Sequence, residues 1–243
     1  MKTQRCARWW YGILIVAVML PAAPAPAHGQ VTVELLVPGY SDPWLAGMPD
    51  GSIASCWEPE GCDSAPAQSP QLVVGLCLHV GESLTFRATG GVGHCGGCTL
   101  YPPDGDGITN HNWDDDLGEN GISDVIAPYD CLLGVFLDDA QPDQTPEPDY
   151  LNFSTQASRD YITLEPLLKQ VFFIGDGVTS GGEEQHVVVP EGATRLYLGT
   201  MDSTTWLNNI GQFDVLVSEP CNPTASTSPT WGMVKARYRD ATR

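Results

Sequence analysis

Nine short apolar runs, bounded by Gly, Pro or Asp, limit what this chain can fold into. They are VTVELLV (31–37), QLVVGLCLHV (71–80), SLTFRA (83–88), ISDVIA (122–127) and CLLGVFL (131–137), then QVFFIG (170–175), HVVVP (186–190), TRLYLGT (194–200) and FDVLVS (213–218). Runs this short, several rich in Val, Ile, Leu or Phe, fit sandwich strands better than helices. Helical periodicity is confined to a weak turn near TLEPLLKQ (163–170) and to the C-terminal tail. The expected fold class is therefore all-β: one antiparallel β-sandwich of jelly-roll type, with long loops at one end. Three connections are long, 41–70, 90–121 and 138–160. Loops of that length in a compact domain are usually functional or mobile. The sequence contains no internal repeat.

The two ends read differently. Lys2, Arg5 and Arg8 precede an apolar block from Trp9 to Leu20, and PAAPAPAHGQ follows it. A basic region, a short apolar core and a small-residue cleavage zone make residues 1–29 a secretory signal peptide, cut near Ala27 or Gly29. The apolar block is too short for a comfortable membrane span, and no later segment approaches its length. The expected mature protein is soluble, secreted or at the cell surface, and not inserted in a membrane. Residues 30–219 form the expected domain, and 220–243 a linker and basic tail holding Lys235, Arg237, Arg239 and Arg243. Of 11 basic residues, three leave with the signal, against 30 acidic ones. A mature balance near −22 repels nucleic acid and anionic lipid and attracts divalent cations.

Cysteine usage agrees with export. Cys56, Cys62, Cys77, Cys95, Cys98, Cys131 and Cys221 remain after the signal. Cys56 and Cys62 are expected to pair across CWEPEGC, and the odd count leaves at least one thiol free or intermolecular.

Chemistry concentrates in MDSTTWLNNIGQF (201–213), a turn between two strand-like runs. Calcium needs six to eight hard oxygens on a loop that bends. Asp202 can give a carboxylate, Asn208 and Asn209 amide oxygens, and Thr205 a backbone carbonyl. One carboxylate with neutral amides leaves the ion short of ligands, so vicinal hydroxyls of a sugar could complete its shell. The same residue types are ordinary turn formers, so spacing alone leaves both readings open.

The flanking residues resemble a known family. VVVPEGATRLYLGTMDSTTWLNNIGQFDVLVS places an apolar strand, Asp202, the Asn208-Asn209 pair, Gly211 and Phe213 in the order found in the calcium-dependent galactophilic lectins of the PA-IL-like family. HVGESLTFRATGGVGH (79–94) and NGISDVIAPYDCLLGVFL (120–137) resemble its upstream half, so the likeness spans most of 71–218. It implies a galactose-binding-domain-like sandwich whose Ca²⁺ bridges protein and sugar. The implied calcium ligands are Asp202, Asn208 and Asn209 through their side chains, and Thr205 and His94 through their backbone carbonyls. Asp202 and Asn209 would also meet the sugar. The family's long middle loop does not align with PPDGDGITNHNWDDDLGEN (102–120), where His111, Asn112, Trp113 and Asn120 have suitable chemistry for the outer hydroxyls. The implied partner is a galactose-like glycan, bound weakly per site, with avidity from homo-oligomers or tethering.

Rival chemistries fit less well. DGDGITN (104–110) lacks the glycine at the sixth position of an EF-hand, and CGGC (95–98) lies in a Gly-rich loop without a βαβ pattern. There is no G-x-S-x-G elbow and no H-E-x-x-H helix, so no catalysis is expected. The alternative to a lectin is a structural or adhesive module whose calcium only braces the loop.

Overall fold

A computed structural model describes residues 29–57, 59–94, 99–111 and 118–221. Residues 1–28 of the expected signal peptide, residues 222–243 of the expected tail, Asn112, Trp113 and the Cys95/Cys98 pair lie outside the described residues. In chain order the strands are β1 (Gly29–Pro38), β2 (Ile53–Trp57), β3 (Gly61–Ser64), β4 (Gln71–Leu72) and β5 (Ser83–Gly93). β6 (Thr109–Asn110), β7 (Val125–Pro128), β8 (Leu132–Leu137), β9 (Leu151–Asn152) and β10 (Thr163–Leu164) follow. The last four are β11 (Val171–Phe173), β12 (His186–Val188), β13 (Arg195–Thr200) and β14 (Ile210–Cys221).

Two sheets make an all-β sandwich. One has the order β1-β14-β5-β12-β10 and the other β11-β8-β13-β4. β14 lies between β1 and β5 in antiparallel register, with Phe213 opposite Val37 and Gly90. Period-2 patterning explains its facing: Phe213, Val215 and Val217 are buried while Asp214 and Leu216 are exposed. β5 alternates the same way, turning Leu84, Phe86 and Ala88 inward. β8 is buried along its whole length, because the 3-10 turn Pro43–Leu45 also packs against it and against β13. Its Phe136 stacks on Phe172 of β11, ring centroids 5.4 Å apart.

Several expectations are corrected in detail. The 71–80 run forms ladder pairs only at β4. Gly75 (φ 97°) and Leu78 (φ 37°) turn the backbone out of strand geometry, and Val74 and Val80 are left exposed. TLEPLLKQ is not helical, since β10 occupies its start and Lys169 adopts φ 64° at its end. The described α-helix is a single turn, Gln156–Arg159, capped reciprocally by Thr155 and Ser158. The pairing is not wholly antiparallel: β10 with β12 and β7 with β9 run parallel. The expected Cys56–Cys62 disulfide is present and closes the β2–β3 hairpin. Cys77 is disulfide-bonded as well, and Cys131 is a buried free thiol. Among the described residues no helix is long and apolar enough to cross a membrane.

Phe136→Ala should lower the free energy of unfolding by about 3–5 kcal/mol, read by chemical denaturation, because the vacated ring space cannot collapse fully. A loss below about 1 kcal/mol would mean the packing against Phe172 contributes little.

Candidate functional site

The turn from β13 to β14 is pinned from below by tryptophan. Trp206 is fully buried, its indole Nε1 donates to the Thr200 carbonyl at 2.9 Å, and its ring lies 5.4 Å from that of Trp44. Trp206 opens a short 3-10 turn, Trp206–Asn208, that the preceding Thr205 does not cap with its own side chain. Asp63 on β3 does so from a distance, accepting from Trp206 N at 2.9 Å and Leu207 N at 2.7 Å. The β2–β3 hairpin therefore holds the turn in place. Thr205 takes a left-handed conformation, φ 58° and ψ 55°, which swings the chain between Asp202 and the asparagine pair.

Polar oxygens converge at this turn. Asp202 is buried, and its Oδ1 accepts from Ser203 N at 2.6 Å. Asn208 donates through Nδ2 to Glu60 Oε2 at 2.7 Å, which leaves its amide oxygen buried without a partner. Asn209 donates to the Gly39 carbonyl at 3.3 Å, and its amide oxygen is likewise buried and unpartnered. The Thr205 carbonyl accepts from Asn208 N at 3.2 Å and keeps a second lone pair. Two orphaned acceptors side by side are costly unless a donor or cation reaches them.

The sheet brings His94 to the same place. Gly93 pairs with Ile210 at the end of the β5–β14 ladder, so the chain leaves β5 beside the asparagine pair. The His94 ring bonds through Nδ1 to Asp130 Oδ2 at 2.8 Å and lies 5.0 Å from the Tyr129 ring. His94, Tyr129, Asp202, Thr205, Asn208 and the hairpin residue Glu60 line one cavity of about 310 Å³. Gly211 explains the glycine after the asparagine pair: at φ 80°, a Cβ there would collide with the Gly91 carbonyl oxygen across the ladder.

Electrostatics favour a cation. Burial raises the Asp202 carboxyl to about 6, with bonds from Ser203 and Asn209 and the nearby His94 pulling the other way. Asp63 is also raised to about 6, by burial first and partly by Asp202. Fully buried Asp42 is pushed well up by burial and then by Asp63 and Glu119. Asp202 raises the pKa of both Asp63 and Asp42, so these buried carboxyls form a negative region that a divalent ion would neutralise. Among the described residues no three His, Cys, Asp or Glu converge as a metal cluster. The donors here are one carboxylate, two amides and backbone carbonyls, a hard-oxygen set that suits calcium rather than zinc.

Asp202, Thr205, Asn208 and His94 line this one cavity and Asn209 follows Asn208 in the chain, while the described middle-loop residues His111 and Asn120 are not in its lining. His111 bonds through Nδ1 to buried Asp124 at 2.9 Å and meets Tyr150 edge-on, outside the cavity lining. Asn120 gives its amide group to the Trp44 and Ile53 carbonyls at 3.0 and 3.2 Å, which fixes the loop that carries it. Trp113 lies outside the described residues. Sequence reasoning missed Trp57, Glu60, Tyr129, Ser203 and Thr204 in the lining. The Cys56/Cys62 pair signalled a disulfide but not where the loop it closes would dock.

A larger cavity, about 580 Å³, lies among Asp104, Asp106, Arg159, Asp160 and Asp176. None of the buried, unpartnered polar atoms belongs to its lining. Compared with protein-family models, curated proteins and solved structures, the chain matches none of them.

The raised carboxyls fix a pH dependence. Folding lifts Asp63 and Asp202 from 3.8 to about 6, so the folded state holds their protons more tightly. The stability from this source is complete below 3.8 and is lost as pH rises through about 6. Chelator-treated protein should therefore lose thermal stability between about pH 4 and 6, and Asp202→Asn should flatten that slope. An unchanged slope in the variant would show that Asp202 does not titrate there.

Proposed function

We propose that this protein is a secreted, non-catalytic, calcium-dependent carbohydrate-binding protein, a lectin for galactose-type sugars. The observation that carries the reading is the pair of buried, unpartnered amide oxygens on Asn208 and Asn209, beside the buried carboxylate of Asp202. Asp202, Asn208 and Asn209 would hold Ca²⁺ with their side chains, and Thr205 and His94 with backbone carbonyls. The ion's role would be to bind two vicinal sugar hydroxyls in the positions that protein oxygens leave open. The cavity of about 310 Å³ beside these residues has room for one pyranose ring. Support also comes from the resemblance of the 71–218 stretch to the PA-IL-like lectins and from the acidic composition. The protein's own residues orient the sugar, and the fixed turn keeps the amide oxygens aimed before the ion arrives. Few contacts per monosaccharide mean weak binding at one site, so useful avidity requires several sites on an oligomer or surface.

Calorimetry on chelator-treated protein, titrated first with Ca²⁺ and then with galactose, should give heat at both steps. Asp202→Ala should lose both together. Calcium heat without galactose heat would leave a structural module braced by its ion, and no calcium heat would remove the site altogether.

A further inference from the structure

The β2–β3 hairpin forms one wall of the cavity. It lies upstream of the stretch that resembles the lectin family, so the resemblance says nothing about it. Its geometry is unusually well secured for a surface excursion. The Cys56–Cys62 disulfide ties its strands, Trp57 sits opposite Gly61, and Gly61 adopts φ 115° at the bend. Three hydrogen bonds fasten it to the site turn: Asp63 takes Trp206 N and Leu207 N, and Glu60 takes the Asn208 amide.

Two hairpin residues reach the cavity, and their chemistries differ. Trp57 lines it with 41% of its surface exposed. Glu60 is exposed, yet its carboxylate engages the side chain of a predicted calcium ligand. An amide can present either nitrogen or oxygen inward. The bond from Nδ2 to Glu60 Oε2 commits Asn208 to turning its oxygen away from the hairpin, and that oxygen is the buried, unpartnered one. A neutral hexose pyranose has hydroxyls on its edge and a patch of C–H groups on one face. An exposed indole beside a hydroxyl-seeking centre complements such a molecule.

Resting on the proposed lectin reading, we infer that the disulfide-closed hairpin is the sugar-selecting wall of the site. Trp57 stacks on the C–H face of a neutral hexose whose hydroxyls meet the ion, and Glu60 positions Asn208. Trp57 is a binding residue and Glu60 a positioning residue. Their substitutions therefore separate: one acts on the sugar alone, the other on the ion first.

The test is calorimetry of the mature protein with Ca²⁺ and then galactose, run on wild type, Trp57→Ala, Glu60→Ala and Glu60→Gln. Trp57→Ala should keep wild-type calcium affinity, which also reports correct folding, and should bind galactose about tenfold more weakly. Glu60→Ala should lose about 10- to 100-fold in calcium affinity, as loss of an outer-shell partner does. Glu60→Gln retains an acceptor oxygen and should recover most of that loss. Unchanged galactose affinity in Trp57→Ala would overturn the stacking role while leaving the calcium lectin intact. Unchanged calcium affinity in Glu60→Ala would overturn the positioning role. A wild type that binds neither Ca²⁺ nor galactose would overturn the lectin reading and this inference with it.

Discussion

The candidate site stands on one buried carboxylate that does not belong to it. Asp63 supplies both acceptors for the backbone at the start of the Trp206–Asn208 turn. Without that trans-cap, two buried donors would be orphaned and the asparagine pair would have no fixed direction. Trp206 below and Trp44 beside it convert the cap into a rigid platform. The cost is electrostatic: burial raises the pKa of Asp42, Asp63 and Asp202, Asp202 adds to the rise at Asp63 and Asp42, and Asp63 adds to that at Asp42. A divalent ion at Asp202 would relieve that repulsion, so the same burial that makes the turn rigid also favours a cation.

The division of labour between sheet and loops follows from where the chain is over-determined. β5 and β14 pair over a long antiparallel register, and their inward residues lock that register from Val92 to Val217. Any slip would turn Phe213 out to solvent. The ladder therefore delivers Gly93 and Ile210, and with them His94 and Asn209, to one end of the sandwich. The hairpin then closes that end from the side. A loop held at both its base and its flank would lose little entropy on meeting a ligand.

Much of this was legible in the sequence, and the illegible parts have physical reasons. Strict alternation in SLTFRA and FDVLVS made β5 and β14 readable, and their longer observed spans come from pairing that the flanking glycines allow. The oxygen-rich turn stood out as a candidate because few side chains can serve calcium, and His94 was added to it only through the family likeness. The 71–80 run misled because its apolar composition looked like a strand, while Gly75 and Leu78 bend the backbone at positive φ. His111 and Asn120 had suitable chemistry but are committed to Asp124 and to backbone carbonyls, which composition cannot reveal. Trp57 and Glu60 were invisible for a different reason. A local cysteine pair predicts a closed loop, but the docking of that loop onto residues 143 positions away or more is a tertiary fact.

Whether Asp202, Asn208 and Asn209 hold a divalent ion is most directly tested by diffraction from crystals grown with saturating Ca²⁺, recording the calcium anomalous signal. A peak with the Asp202 carboxylate and the two amide oxygens at about 2.3–2.6 Å is the expected result. Absence of any peak there, with both amide oxygens hydrogen-bonded to water or protein donors instead, would contradict it.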